Sequence, residues 1–333
     1  MSTERCGKCG EPLAPGFAFC EACGTRVGET DRPDHHTSPP GAGGAQGGPG
    51  TGTNLRCQCG CADFDADGFC TLCGRKRLVL EAADVATLGN CAATATHRGR
   101  RHPDNQDAVG MIAVPGGVAL AVADGVSTSW HARQAADTAV SVALAALRDA
   151  RGGRTIGRLS DALKQAHQAI CRLDTAAIDP ELAEPQATLV LALIEGDRLS
   201  YAWVGDSRLY LLAGGERVLL TEDDSWLNEQ TKAGVPLQAA MKDANAHCIT
   251  QCLGMRDAEP VIHSGERLLS PDSWLLLCSD GLWNYLTEPG ELWAQLDEGR
   301  GAAPLSSRCV RLVDHANAAG GQDNISVALY RPL

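Results

Sequence analysis

Three apolar segments of this chain meet a carboxylate that is followed by glycine or asparagine: ALAVADG at Asp124 and Gly125, LLLCSDG at Asp280 and Gly281, and GGQDNISV at Asp323 and Asn324. A fourth segment, HPDNQDAVG, adds Asp107. One Asp-Gly pair after a strand is an ordinary turn, because both residues suit turn backbones. Repetition of the arrangement at strand ends far apart in sequence is the stronger constraint, since it points to strands whose ends gather in one place. Four acids brought together there would repel one another severely unless cations neutralised them. Hard divalent ions such as Mg2+ and Mn2+ prefer carboxylate, carbonyl and water ligands, so the expected site is a divalent metal centre.

Between these acids the chain alternates apolar strands with Ala-rich helices. Gly117 to Ala123 reads as a buried strand. Ser127, Thr128 and Ser129 offer N-caps to a helix from Trp130 to about Ala150, and a second helix is expected from about Arg158 to Leu173. Ala187 to Ile194, Leu199 to Val204 and Ser207 to Leu212 follow as short strands with turns at Glu195-Gly196-Asp197 and Gly205-Asp206, for which an antiparallel meander is the simplest arrangement. Ser273 to Cys278 is another strand, and a helix near Leu305 to Ala319 leads through Gly320-Gly321 into a last strand, Ile325 to Tyr330. With 44% hydrophobic but only 4% aromatic residues, the core has to be built from Ala, Val, Leu and Ile.

The first part of the chain is of another kind. Nine of the 15 cysteines fall within the first 73 residues. Adding 50 to Cys9, Gly10, Phe19, Cys20, Cys23 and Gly24 gives Cys59, Gly60, Phe69, Cys70, Cys73 and Gly74, which marks two copies of one unit. Cys6, Cys9, Cys20 and Cys23 form two Cys-x-x-Cys knuckles, each followed by glycine, a layout that suits tetrahedral zinc. In the second copy Cys59, Cys70 and Cys73 follow the repeat, but Arg56 stands where a fourth ligand would fall. Either Cys57 or Cys61 could complete that site, and Cys57 is favoured. Units this short bury too little apolar surface to fold alone, so one structural Zn2+ per unit is expected to fold them. The domain plan is therefore a zinc ribbon over 1–27, a flexible Gly- and Pro-rich linker over 28–53, a second ribbon-like module over 54–77, and a catalytic domain over 85–333. The modules resemble zinc ribbons attached to regulatory proteins, where the role is docking to a protein; a structural cap is the other reading.

From about Cys91 to Leu333 the order and wording of the segments resemble the type 2C metal-dependent protein phosphatases of the bacterial branch. The resemblance is carried by NQDA (Asn105 to Ala108), ADG (Ala123 to Gly125), ATLVLALI followed by VGDSRLYLL (Val204 to Leu212), LTEDDSWLNEQ (Leu220 to Gln230), ITQCLG (Ile249 to Gly254), CSDGLW (Cys278 to Trp283) and GGQDNIS (Gly320 to Ser326). It implies an α+β fold of two packed antiparallel β-sheets flanked by helix pairs, an αββα sandwich with the metals in a cleft at one end. It also implies that Asp124 bridges two Mn2+ or Mg2+ ions, with the Gly125 carbonyl on one of them. Asp280 and Asp323 would hold the other ion, and Asp107 would act on metal-bound waters. Asp206, in the GDSR turn, matches an acid that helps bind a third ion, its plainer reading being a turn aspartate. The implied activity is hydrolysis of phosphoserine and phosphothreonine in proteins by a metal-activated water, opposing a bacterial-type Ser/Thr kinase. Residues 221–248 correspond to a variable flap that bears on substrate choice.

The chain also departs from the family pattern. An arginine that grips the substrate phosphate usually stands five residues before the acid matched by Asp107, but His102 is there, with Arg101 one position earlier. Either residue could serve, and His102 would bind phosphate best when protonated. Val126-Ser127-Thr128-Ser129 replaces the usual glycine pair and leaves no histidine in that segment to protonate a leaving alkoxide. No cysteine of the domain over 85–333 begins the Cys, five residues, Arg cradle of thiol phosphatases, so Cys91, Cys171, Cys248, Cys252, Cys278 and Cys309 read as small core residues. All four acids are present, which favours an enzyme over a catalytically degenerate phosphoprotein-binding or regulatory protein. A net charge of -12 and a pI near 5.2 argue against nucleic acid or an anionic membrane as the main partner. No stretch approaches the roughly 18 apolar residues of a spanning helix, and the cysteine layout suits a reducing compartment, so a soluble, cytoplasmic protein is expected.

Overall fold

Strands buried on both faces explain why the sequence shows continuous apolar runs instead of alternation. In the computed structural model, which describes residues 82–150, 152–175, 183–213, 215–297 and 303–332 together with 59, 61, 63, 65 and 70–74, those runs form two sheets. The chain divides into two units, Met1–Glu81 and Ala82–Leu333. Cys6, Cys9, Cys20, Cys23, Cys57 and the expected linker lie outside the described residues.

In the second unit one sheet has six strands: β1 (Asp84–Leu88), β2 (Ala92–His97), β7 (Arg208–Leu212), β8 (Arg217–Leu219), β10 (Trp274–Cys278) and β11 (Ile325–Tyr330), in the order β1-β2-β11-β10-β7-β8. The other has five: β3 (Ala108–Val114), β4 (Gly117–Ala123), β5 (Leu189–Glu195), β6 (Arg198–Val204) and β9 (His263–Leu268), in that order. Every pairing is antiparallel. The two-residue periodicity of a strand then sorts the core into layers. Leu120 and Val122 of β4, Val190 and Ala192 of β5, Leu275 and Leu277 of β10 and Ala328 of β11 share one apolar cluster between the sheets. Their neighbours Ala119, Ala121, Leu191 and Leu193 pack outward against α1 (Ala132–Asp149) and α2 (Thr155–Cys171). On the other side Leu276, Cys278, Val327 and Leu329 pack against α6 (Pro289–Asp297) and α7 (Leu305–Ala319). The result is the αββα sandwich that the family resemblance implied. Alanines on α1 (Ala132, Ala135, Ala136, Ala139 and Ala143) are all buried, so small side chains fill much of this core.

Three local expectations are corrected. The helix after Asp124 starts at Ala132 with His131, at φ 54, as its N-cap and no side-chain cap, instead of being capped by Ser127, Thr128 or Ser129. Ser129 instead donates its backbone N–H to Val126 O in a turn. The meander ends after β6: β5 and β6 pair, but β7 leaves for the other sheet, where it pairs with β10 and β8. Among the six cysteines read as core, Cys252, Cys278 and Cys309 are buried, Cys91 and Cys171 are partly so, and Cys248 is exposed.

Candidate metal centre

Strand register brings the acids to one end of the sandwich. Asp107 immediately precedes β3 and Asp124 immediately follows β4, and the paired residues Ala108 and Ala123 hold those two positions side by side. On the other sheet Cys278 lies between Arg208 and Val327, so Asp280, Asp206 and Asp323 leave β10, β7 and β11 at a common end. Asp280 opens the short helix α5 (Asp280–Trp283).

Hydrogen bonds then lock the two sheet ends together. Ser279 donates its hydroxyl to Asp107 Oδ2 at 2.7 Å and accepts the Ser326 N–H at 3.0 Å, which links β3, β10 and β11. Asn324 works as a staple: its Oδ1 accepts the Gln106 N–H at 2.7 Å while its Nδ2 donates to Arg98 O at 2.8 Å and Asp104 O at 3.1 Å. Thr188 Oγ1 accepts the Asp124 N–H at 3.0 Å and lies 2.7 Å from Ser207 Oγ. Gly125 has to be glycine, because a Cβ there would run into Ala132 O and Gln106 O. The Asp206 carbonyl accepts the Trp283 Nε1–H at 3.0 Å. Beside it Arg208 donates two bonds to Asp223, at 3.0 and 2.7 Å, and lies over the Trp283 ring at 3.7 Å.

The electrostatics are those of crowded, desolvated carboxyls. Burial, assisted by the charge of Asp323, pushes Asp107 up to about 7 against the pull of the Ser279 and Ser326 hydroxyls. Burial, then the charges of Asp323 and Asp107, push Asp280 up to about 7 as well. Asp124 is driven well above the usual carboxylate range by burial and by Asp107, Asp280, Asp206 and Asp323 in turn. Asp206 is raised by burial and by Asp280 and Asp223. Asp107 Oδ1 and Asp280 Oδ1 are both buried and have no hydrogen-bond partner. Orphaned buried oxygens among like charges fit a site made for cations, and the donor set of hard oxygens suits Mg2+ or Mn2+. Among the described residues only Cys59, Cys70 and Cys73 bring three ligand atoms within 4.8 Å of one another.

His102 Nε2 lies 3.4 Å from Asp323 Oδ1, at the edge of this cluster, whereas Arg101 is exposed. A cation that sequence reasoning missed is Arg133 on α1, whose Nη1 donates to Asn105 O at 3.3 Å. Ser279, Asn324 and Thr188 were missed too, although the first two flank the acids in CSDG and QDNIS.

A family model described as protein phosphatase 2C matches residues 95–317. This chain belongs to the protein phosphatase 2C family. It is 41% identical over 144 residues to protein phosphatase PhpP of Streptococcus pneumoniae, a match covering 42% of this chain and 55% of the relative. It is 30% identical over 243 residues to serine/threonine protein phosphatase PstP of Mycobacterium tuberculosis, covering 71% of this chain and 44% of PstP. The chain thus spans about half the length of these curated relatives. A crystal structure of the PstP catalytic domain in complex with two manganese ions superposes with a TM-score of 0.58 at 26% identity, over 74% of this chain and 98% of that one. Among the described residues no helix is long and apolar enough to cross a membrane.

Proposed function

We propose that the chain hydrolyses phosphoserine and phosphothreonine esters of proteins at a binuclear Mn2+ or Mg2+ centre. The observation that carries this reading is the set of converging, mutually repelling aspartates with two orphaned buried oxygens. Manganese in the PstP neighbour supports the choice of ion. When bound, two hard divalent ions supply positive charge for the phosphoryl oxygens and a water acidic enough to attack near neutral pH.

The residues divide the remaining work. Asp124, which feels Asp107, Asp280, Asp206 and Asp323, is the carboxylate to be shared between two ions, with the Gly125 carbonyl as a further ligand. Asp280 and Asp323 hold one ion from the ends of β10 and β11, and Asp206 offers a site for a third. Asp107, fixed by Ser279, is oriented to accept hydrogen bonds from the solvent around the ions. His102, beside Asp323, is the better phosphate contact of the two residues considered, and Arg133 adds charge at the rim. The opposing partner is a bacterial-type Ser/Thr kinase and the location is the cytoplasm. A phosphothreonine peptide assayed with and without Mn2+, on the wild type and Asp280→Asn, tests the reading. Activity should require the ion and collapse in the variant; hydrolysis without added ion after chelation would overturn it.

The first unit carries a second metal chemistry in this proposal. The sulfurs of Cys59 and Cys70 are 3.6 Å apart, and Cys59, Cys70 and Cys73 cluster together. Tetrahedral zinc with Zn–S near 2.3 Å sets sulfurs about 3.8 Å apart, so the spacing fits. Cys61 Sγ, which accepts the Asp63 N–H at 3.4 Å, stands outside that group of three, and Cys57 is retained as the proposed fourth ligand. Cys6, Cys9, Cys20 and Cys23 would repeat the arrangement, and the modules would dock the enzyme to a protein.

A further inference from the structure

Two tryptophans and four arginines gather at the end of the sandwich that faces away from the aspartates. Strand register builds the group. Trp274 opens β10 opposite Leu212, Leu212 pairs with Arg217 at the start of β8, and Arg331 follows Tyr330, which pairs with Leu275. β8 runs from this end toward the metal end, where Asp223 meets Arg208 and the chain goes on to α3 (Trp226–Lys232) and α4 (Leu237–Ala240). Trp274 is separated from Cys278 by the length of β10, about 13 Å at the rise of a strand. From the helical layer Trp293 of α6 meets Trp274 edge to face at 6.5 Å, and α7 brings Arg308 and Arg311.

The arginines are of two kinds. Arg308, 5% exposed, donates Nη1 to Leu296 O, and Arg311 donates Nη1 to Gln295 O at 3.3 Å, so both serve open carbonyls in the last turn of α6. Arg217 and Arg331 are exposed, and among the described residues no ion pair involves either. Arg217 lies over the Trp293 ring at 5.3 Å, and Arg331 lies over the Trp274 ring at 5.4 Å, which Arg308 also faces at 5.0 Å. The negative face of each indole attracts these cations. A guanidinium held by its flat side keeps its N–H rim open to an acceptor. Burial, then the charges of Arg311 and Arg331, hold Arg308 below its ordinary value, with Asp297 opposing them. Three mutually repelling cations thus face one carboxylate, on a chain whose net charge is -12.

We propose that this end of the sandwich is a docking surface for a short acidic segment of a partner protein, whose carboxylates engage Arg217 and Arg331 beside the two tryptophans. Tryptophan and arginine dominate many protein interfaces, because an indole offers a large rigid area and a guanidinium takes a carboxylate through two parallel bonds. The acidic character of the rest of the chain limits the occupant's length. Charges are screened within about 8 Å at physiological salt, so a few carboxylates feel the positive patch, whereas a long polyanion would run past it into repulsion. A segment docked here leaves the metal centre open. The surface therefore tethers a protein without blocking the site; the binding is independent of the phosphatase reading, and its effect on phosphoprotein substrates rests on that reading.

The test uses the full chain and a fluorescein-labelled peptide of alternating glutamate and serine, followed by fluorescence anisotropy, with a glutamine and serine peptide as the neutral control. The wild type should bind the acidic peptide alone, more weakly as salt rises. Arg217→Glu combined with Arg331→Glu should weaken binding about tenfold or more, the factor expected for lost charge-assisted hydrogen bonds. Arg198→Glu combined with Arg267→Glu, at exposed positions on β6 and β9, changes the net charge equally and should leave binding within about twofold. Arg217→Lys combined with Arg331→Lys keeps the charge but loses the planar fork and should fall between these two; it decides the matter if the charge-reversed chain does not fold. A phosphothreonine peptide without acidic residues should be hydrolysed equally by all of these proteins. Joining it to the acidic tract through a long Gly-Ser linker should lower KM, with kcat unchanged, for the wild type and the Arg198 and Arg267 control but not for the Arg217 and Arg331 charge reversal. No binding by the wild type, or equal weakening in the two charge-reversed proteins, would overturn the proposal. So would tighter binding of single-stranded DNA of equal charge that is lost in the same variant, since the surface would then belong to a polyanion. If no phosphopeptide is hydrolysed while the anisotropy results hold, the phosphatase reading fails and the docking surface stands.

Discussion

The chain gathers metal-type ligands in two places by opposite means. In residues 82–333 an apolar sandwich exists first, and its strand ends force Asp107, Asp124, Asp280 and Asp323 together at an electrostatic cost. Between Cys70 and Cys73, Leu72 is 72% exposed, and a module this short has little apolar sequence to bury. On the proposed reading a zinc ion would hold those ligands together, so that in one region the fold would make the site and in the other the site would make the fold.

Removing metal should separate the two regions most sharply. A strong chelator should unfold the cysteine modules outright, since structural zinc contributes about 10 kcal/mol or more, while leaving 82–333 folded. All six tryptophans lie in the second unit, so their fluorescence reports on it alone, and limited proteolysis ahead of Ala82 reports on the first. Simultaneous loss of both signals would erase the contrast.

Asp280→Asn should show the cost of the acidic site directly. Peptide hydrolysis should fall about 10²–10³-fold, the usual scale for deleting one group that stabilises charge in the transition state. The metal-free variant should nevertheless be more stable than the metal-free wild type, by about 1–3 kcal/mol, because a desolvated carboxylate with one orphaned oxygen, repelled by its neighbours, has gone. Thermal unfolding followed by tryptophan fluorescence checks the sign.

The wild type should display the same cost as a pH dependence. Asp107 and Asp280 bind their protons more tightly folded than unfolded, with values near 7 against a usual 3.8. Their contribution to stability is therefore complete below about pH 4 and is lost as pH rises through about 7. Metal-free 82–333 should melt at lower temperature at pH 8 than at pH 6, and Mn2+ should remove most of that difference. The smallest effect belongs to the junction: a chain starting at Ala82 should hydrolyse the peptide within about twofold of full length if the cysteine modules serve docking, because distant, independent parts contribute additively.

Much of this architecture was legible locally. Strands β4 and β11 and helix α7 fall where hydrophobic runs, glycine and turn residues put them. The acids were visible as strand-end residues. What failed was any feature decided by a distant partner. Gly205-Asp206 read as a hairpin turn, yet it carries β7 across to the other sheet, because pairing with β10 buries Leu209 and Leu211 between the layers. Ser127, Thr128 and Ser129 look like caps, but their segment is drawn toward Gln186 and Ala183, and the helix begins later. Asp224 and His263 are 39 residues apart and carry no joint signature in the sequence.

By itself, the sequence determined strands β4 to β7, β10 and β11 and helices α1, α2 and α7 to within a few residues, where the acids and thiols stand along the chain, and the family. These properties follow from side-chain periodicity and turn chemistry, which act over a few residues. The tertiary structure alone decided which sheet each strand joins, which hydroxyls and amides brace the aspartates, how far burial raises Asp107 and Asp280, and that Asp224 ties Gly205 to Gln251 and His263. Those depend on long-range pairing and desolvation, and neither exists until distant segments have packed together.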